Sequence, residues 1–243
     1  MQASLRKRLE YLQRSPQSGP AEQVVVLLHG YGRNAALMQK MADEVAARLP
    51  RALIVMPQAP EIFEAPASDE GNALKVPRQL RVDDSDEGDN GLRRQWFSIR
   101  AATFDEMRHQ LMQVAQQVNE FLSEVLDQNG LSESDAALMG FSQGGAVALY
   151  TAYYRPTPVK CVVGHSTLFM GGHHFLSQPP TLYVYGLDDE EFARPHFEDA
   201  ARQLSVHIPD ITVKALAGLR HTTNAQSRAV VADYMARHLK QPL

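Results

Sequence analysis

Ser142 stands in Gly140-Phe141-Ser142-Gln143-Gly144, a G-x-S-x-G pattern. An apolar run, Ala136 to Phe141, precedes it, and a small-residue helical pattern with Ala146, Ala148 and Ala152 follows. A strand, a sharp turn and a helix in that order push a serine hydroxyl out at the edge of a sheet, and the flanking glycines leave room for the strained turn. A serine hydroxyl is a weak nucleophile at neutral pH and needs a base, which itself needs an orienting carboxylate. Two downstream segments supply both types. Gly186-Leu187-Asp188-Asp189 follows the apolar run Thr181 to Tyr185, and Gly218-Leu219-Arg220-His221 follows Ile211 to Ala215. Serine, acid and histidine in this order, the last two at the carboxyl ends of strands, predict nucleophilic acyl transfer. The Gly-x-x-Asp spacing favours Asp189 over its neighbour Asp188 as the acid, with both as candidates.

Acyl transfer also needs donors for a tetrahedral oxyanion. The backbone N–H of Gln143, next to the serine at a helix start, is one candidate. The second is the backbone N–H of Tyr31, in the turn His29-Gly30-Tyr31-Gly32 that follows the early apolar run Val24 to Leu28. His29 reads as a buried histidine that shapes this turn rather than as the base. His109, His196, His207 and His238 fall in or beside helical patterns or near the C-terminus, and His165 ends a strand. The adjacent His173-His174 has no second His/Cys/Asp cluster to complete a metal site, so no metal is expected. Cys161, inside an apolar strand, reads as a core residue.

These residues need a scaffold. Short apolar runs at 24–28, 53–56, 136–141, 159–164, 181–185 and 211–215 alternate with helical patterns, which predicts a doubly wound, mostly parallel sheet with helices on both faces. Phe104, Met107, Leu111, Val114, Val118, Phe121 and Val125 step by three and four, predicting one long core-facing helix stopped at Asn129-Gly130. The last helix runs over about 224–240, and another begins near Pro195. Leu5, Leu9 and Leu12 lie at helical spacing, so residues 1–20 are expected as an N-terminal docking helix and a Ser/Pro/Gly linker, with a single α/β domain over 21–243. Residues 58–95 lack periodicity and are expected to form a long loop, with the acidic patch Asp83 to Asp89 as a solvated part of it rather than a calcium site.

Composition narrows the class. The chain has 243 residues, 44% of them hydrophobic, a net charge of −4 and one cysteine. This excludes collagen-like and wholly disordered readings, gives no electrostatic reason to expect nucleic acid, and leaves no internal disulfide. No stretch approaches the roughly 20 apolar residues of a membrane helix. The basic cluster Arg6-Lys7-Arg8 lacks a following apolar stretch of a secretory signal, so a cytoplasmic protein without stable membrane insertion is expected. The oligomeric state is not legible.

Six segments occur in order: Leu27-Leu28-His29-Gly30-Tyr31-Gly32, Met56-Pro57-Gln58-Ala59-Pro60, Arg94-Gln95-Trp96-Phe97, Gly140 to Gly145, Gly186-x-x-Asp189 and Gly218-x-x-His221. Together they resemble the phospholipase/carboxylesterase family of α/β-hydrolases, over about Val24 to Leu239. The resemblance implies the α/β-hydrolase fold, a Ser142–Asp189–His221 triad, oxyanion donors at Tyr31 and Gln143, acylated ester or thioester substrates and no cofactor. It also implies that Trp96 and Phe97 help line the site, and that the segment carrying Leu168 and Phe169 shapes an acyl pocket. The chain departs from the family pattern at Asp188-Asp189-Glu190-Glu191-Phe192, where the family has a hydrophobic pair and a proline, at Arg220, where it has glycine, and at Gly164 to Phe169, where it has a serine-glycine-hydrophobic segment. The expected function is therefore a serine carboxylesterase, thioesterase or lysophospholipase. A catalytically silent binding protein on the same fold, or a serine peptidase, are the alternatives.

Overall fold

The computed structural model describes residues 8–64, 93–100, 103–172 and 174–240. The strands are β1 (Tyr11–Arg14), β2 (Gln23–Leu28), β3 (Ala52–Pro57), β4 (Glu61–Ile62), β5 (Arg94–Gln95), β6 (Ala136–Phe141), β7 (Cys161–His165), β8 (Thr181–Gly186) and β9 (Ile211–Leu216), and all but β1, β4 and β5 fall on the predicted apolar runs. Between and after them lie α1 (Gln39–Arg48), α2 (Phe104–Asn129), α3 (Gln143–Tyr153), α4 (Arg194–His207) and α5 (Ala225–Leu239). The main sheet has the order β1-β3-β2-β6-β7-β8-β9, parallel throughout except for the antiparallel edge strand β1.

Burial on both faces explains the continuous apolar runs of the central strands. Val24, Val26 and Leu28 point into one core with α2, α3 and α4, while Val25 and Leu27 point into a second core with α1 and α5. The long stripe on α2 is buried from Met107 to Val125, whereas Phe104, at the first turn, is exposed. Thr103 caps that helix by accepting the Glu106 N–H at 3.1 Å, and Gly130 ends it at φ 64°, a left-handed position that suits glycine.

Two sequence expectations need correction. Leu12 lies in a strand, not a helix, and β1 belongs to the main sheet, so the domain starts well before residue 21. Pairing with β3 satisfies the backbone of so short a segment, which alone could not sustain a helix. Leu9 is buried, Leu12 is exposed, and the Tyr11 ring meets Phe121 edge-on at 5.2 Å. The second correction concerns 58–95. Its ends are not structureless, because β4 and β5 pair as an antiparallel ribbon. The acidic patch Asp83 to Asp89 and Leu5 lie outside the described residues.

Strand ends decide the site. Leu28 pairs with Gly140, Phe141 with His165, His165 with Val184 and Gly186 with Leu216, so the turns after β2, β6, β7, β8 and β9 emerge along one edge of the sheet. The turn after β9 is anchored by α5, where Asn224 accepts the Ser227 N–H at 2.8 Å and Ser227 Oγ accepts the Asn224 N–H at 3.1 Å. Asn224→Ala should cost about 1 kcal/mol of stability, read as a lower urea midpoint with an unchanged slope.

Candidate active site

The serine turn is built from approaches that no side chain permits. A Cβ on Gly140 would overlap the carbonyl oxygen of Gly144, and one on Gly144 would lie 2.6 Å from the Leu28 oxygen and closer still to that of His29. The β2 turn therefore packs directly on the serine turn. Ser142 itself sits at φ 52° and ψ −121°, a strained conformation for a residue with a side chain. Its N–H donates to the His165 oxygen at 2.9 Å.

His221 Nε2 lies 3.0 Å from Ser142 Oγ, and His221 Nδ1 lies 2.8 Å from Asp189 Oδ2. A carboxylate only accepts, so Nδ1 carries the proton and Nε2 faces the hydroxyl as acceptor. The Asp189 side chain is 1% exposed. Its other oxygen, Oδ1, accepts the N–H groups of Glu191 at 3.0 Å and Phe192 at 2.9 Å. A buried carboxylate with both oxygens engaged is compensated for its lost hydration. Asp188 points elsewhere, accepting the Gly218 N–H at 2.6 Å. The imidazole packs against Phe141 and Phe192, with ring centroids 5.0 and 5.5 Å away.

Gln143 begins α3, so its N–H is among those with no intrahelical partner. Its side chain does something the sequence did not announce. Gln143 Oε1 accepts the Trp96 N–H at 2.8 Å and Nε2 donates to the Phe97 oxygen at 2.7 Å. Trp96 Nε1 donates to the His29 oxygen at 2.7 Å. The Gly32 N–H donates to the Arg94 oxygen at 2.9 Å, so the segment Arg94–Phe97 braces the turn that carries Tyr31. Trp96 and Phe97 are both buried; Phe169 is buried near Tyr150 and Phe175, and Leu168 is half-buried. The one sequence signal for the Gln143 brace was a polar residue at the start of an otherwise apolar buried helix.

Two buried histidines flank the site. His29 Nδ1 donates to the Gly30 oxygen at 2.8 Å and Nε2 accepts the Ala59 N–H at 3.1 Å, an arrangement only the neutral ring can make. Burial pushes its pKa down to about 4. His165 lies with Nδ1 3.1 Å from Ser166 Oγ, and its buried Nε2 has no hydrogen-bond partner. Burial, reinforced by nearby His221, takes its pKa down to about 3. Among the described residues there is no group of three or more His, Cys, Asp or Glu side chains placed to hold a metal ion. Nor is any helix among them long and apolar enough to cross a membrane.

With this geometry in hand, the sequence model of the phospholipase/carboxylesterase family matches residues 12–72 and 83–239. The chain belongs to the phospholipase/carboxylesterase family. Members of this family hydrolyse ester bonds, and this chain is one of its enzymes. Esterase YpfH of Escherichia coli K12 is 23% identical over 89% of this chain and 83% of that protein. Acyl-protein thioesterase 1 of Kluyveromyces lactis is 21% identical over 91% of this chain and 94% of its own. The crystal structure of esterase PE8 superposes with a TM-score of 0.78 at 24% identity, covering 96% of this chain and all of that one. The Bacillus cereus carboxylesterase superposes at 0.69 with 15% identity, covering 96% of each chain. These likenesses carry the α/β-hydrolase fold.

The neutral histidines of this phospholipase/carboxylesterase member make its stability depend on acid. Well above pH 6.5 both rings are neutral whether folded or not. As pH falls below 6.5, the unfolded chain binds protons that the fold refuses until about pH 4 and 3, so stability falls. His165→Phe should lose less stability than the wild type between pH 7 and 5, by about 2 kcal/mol in urea unfolding. Equal losses would show that His165 is not held neutral.

Proposed function

We propose that this chain is a serine hydrolase that cleaves carboxylic ester or thioester bonds through an acyl-enzyme. Ser142 Oγ attacks the acyl carbonyl while His221 Nε2 takes its proton. The N–H groups of Gln143 and Tyr31 receive the oxyanion, and Asp189 holds the imidazole and balances the imidazolium. Collapse of the tetrahedral intermediate expels the alcohol or thiol, which receives the proton from His221. Water, deprotonated by the same ring, then releases the acid and restores Ser142.

One observation carries this reading: a continuous run from Ser142 Oγ through His221 to Asp189, at 3.0 and 2.8 Å, with the serine on a strained turn at φ 52°. The names of an esterase and an acyl-protein thioesterase among its relatives support ester and thioester substrates. Trp96, Phe97, Leu168 and Phe169 are the candidates to line the acyl site. The substrate is a small-molecule or acylated compound, no cofactor takes part, and the protein works in the cytoplasm.

The test uses p-nitrophenyl esters and acyl thioesters graded by chain length, together with a fluorophosphonate probe. Ser142→Ala should abolish labelling and lower kcat by at least about 10⁴-fold while leaving the thermal transition in place, and His221→Ala should be comparably severe. Labelling that persists at another residue would overturn the assignment. A wild-type protein that neither turns over nor labels would be a silent member of the fold.

A further inference from the structure

The departures around Asp189 and His221 have a common geometry. Three consecutive acidic residues each hold a different part of the histidine loop. Asp188 accepts the Gly218 N–H at 2.6 Å, and its own N–H donates to the Leu219 oxygen at 3.2 Å. Asp189 takes the imidazole. Glu190 accepts the backbone N–H of His221 at 3.1 Å through Oε2, and through Oε1 it meets Arg220 Nη2 at 2.7 Å. Arg220 and His221 are adjacent, so one carboxylate clamps two successive residues of the loop.

This loop needs holding. It leaves β9 through Gly218 at φ 73° and has no regular structure until α5 begins at Ala225. Gly186 packs against it so closely that a Cβ would overlap the Leu219 oxygen. That contact and the buried Leu219 fix the start of the loop; further on, the His221 ring packs against Phe141 and Phe192, and its main-chain N–H is held by Glu190. The Arg220 and Glu190 side chains are 70% and 33% exposed, and an ion pair so open to water adds little to stability. Its effect is geometric: the pair restrains Glu190 Oε2 where the His221 N–H requires an acceptor.

We propose that Glu190 is a positioning residue for hydrolysis: its carboxylate, restrained by Arg220, fixes the main chain at His221 and so keeps the imidazole between Asp189 and Ser142. The proposal rests on the Ser142–His221–Asp189 reading given above. Neither Glu190 nor Arg220 touches the reacting atoms; both act through the backbone of the base, where displacements of a fraction of an ångström slow proton transfer.

The experiment measures the second-order rate of Ser142 modification by a fluorophosphonate, with kcat and KM on p-nitrophenyl butyrate and a thermal melt for each variant. Glu190→Ala should slow labelling and kcat together by about tenfold with KM within about twofold, because the substrate is not contacted. Glu190→Gln keeps an oxygen for the His221 N–H and should recover to within about threefold of wild type. Arg220→Ala should slow labelling about threefold, and the double variant Glu190→Ala/Arg220→Ala should be no slower than Glu190→Ala alone. Wild-type labelling rates in Glu190→Ala, a loss confined to KM, or a Gln variant as slow as the Ala variant would each overturn the proposal. Where Glu190→Ala does not melt cooperatively, Arg220→Ala decides, and a wild-type rate there removes the clamp. A wild-type protein that fails to label at Ser142 defeats the triad and this proposal together, whereas normal wild-type labelling with an unaffected Glu190→Ala defeats the proposal alone.

Discussion

The whole site depends on two backbone turns packing closer than any side chain would allow. Gly140 and Gly144 let the serine turn fold back on itself and receive the carbonyl groups of Leu28 and His29 at its base. That approach packs the β2 turn directly against the serine turn, and Ser142 holds a positive φ that a free chain would avoid. Strain of this kind persists only where the surroundings over-determine it. Here they do: the Ser142 N–H is tied to β7, α3 starts immediately after the serine, and β2 pairs with β6 up to Gly140.

Around that contact the protein uses one repeated device, a polar side chain that satisfies the main chain of a distant loop. Gln143 holds Trp96 and Phe97, Trp96 holds His29, His29 holds Ala59, and Asp188 and Glu190 hold the histidine loop. Loops at a sheet edge expose backbone groups that must find partners once water is displaced. Meeting that need with side chains lets irregular segments be rigid without adding secondary structure. His29 and His165 are neutral because burial penalises the charged ring in either place.

Much of this was legible along the chain. Strands β6 and β8 fall where the apolar runs predict, because a strand buried on both faces can contain little else. The glycines around Ser142 and before Asp189 mark turns whose crowding the structure makes explicit, and Gly218 before His221 marks a turn at positive φ. The N-terminal segment was misread because Leu9 and Leu12 fit a helix or a strand equally over so few residues, and only the free edge of β3 selects the strand. The main chain of Trp96 and Phe97 is held by Gln143, a contact between segments 47 residues apart that spacing along the chain does not reveal. Glu190 and Arg220 stood out only as departures.

The sequence by itself determined the order of serine, acid and histidine, the strands that carry them and the small residues their turns demand. Local sterics and burial set those features, and both are written in residue type and spacing. Tertiary structure alone decided that Asp189 rather than Asp188 meets His221, that Gln143 and Trp96 brace the β2 turn, and that Glu190 and Arg220 grip the histidine loop. Those are choices between neighbouring side chains of similar chemistry. They turn on the direction a side chain takes from the end of its strand, and that direction exists only once the sheet has fixed the distance between segments far apart in the chain.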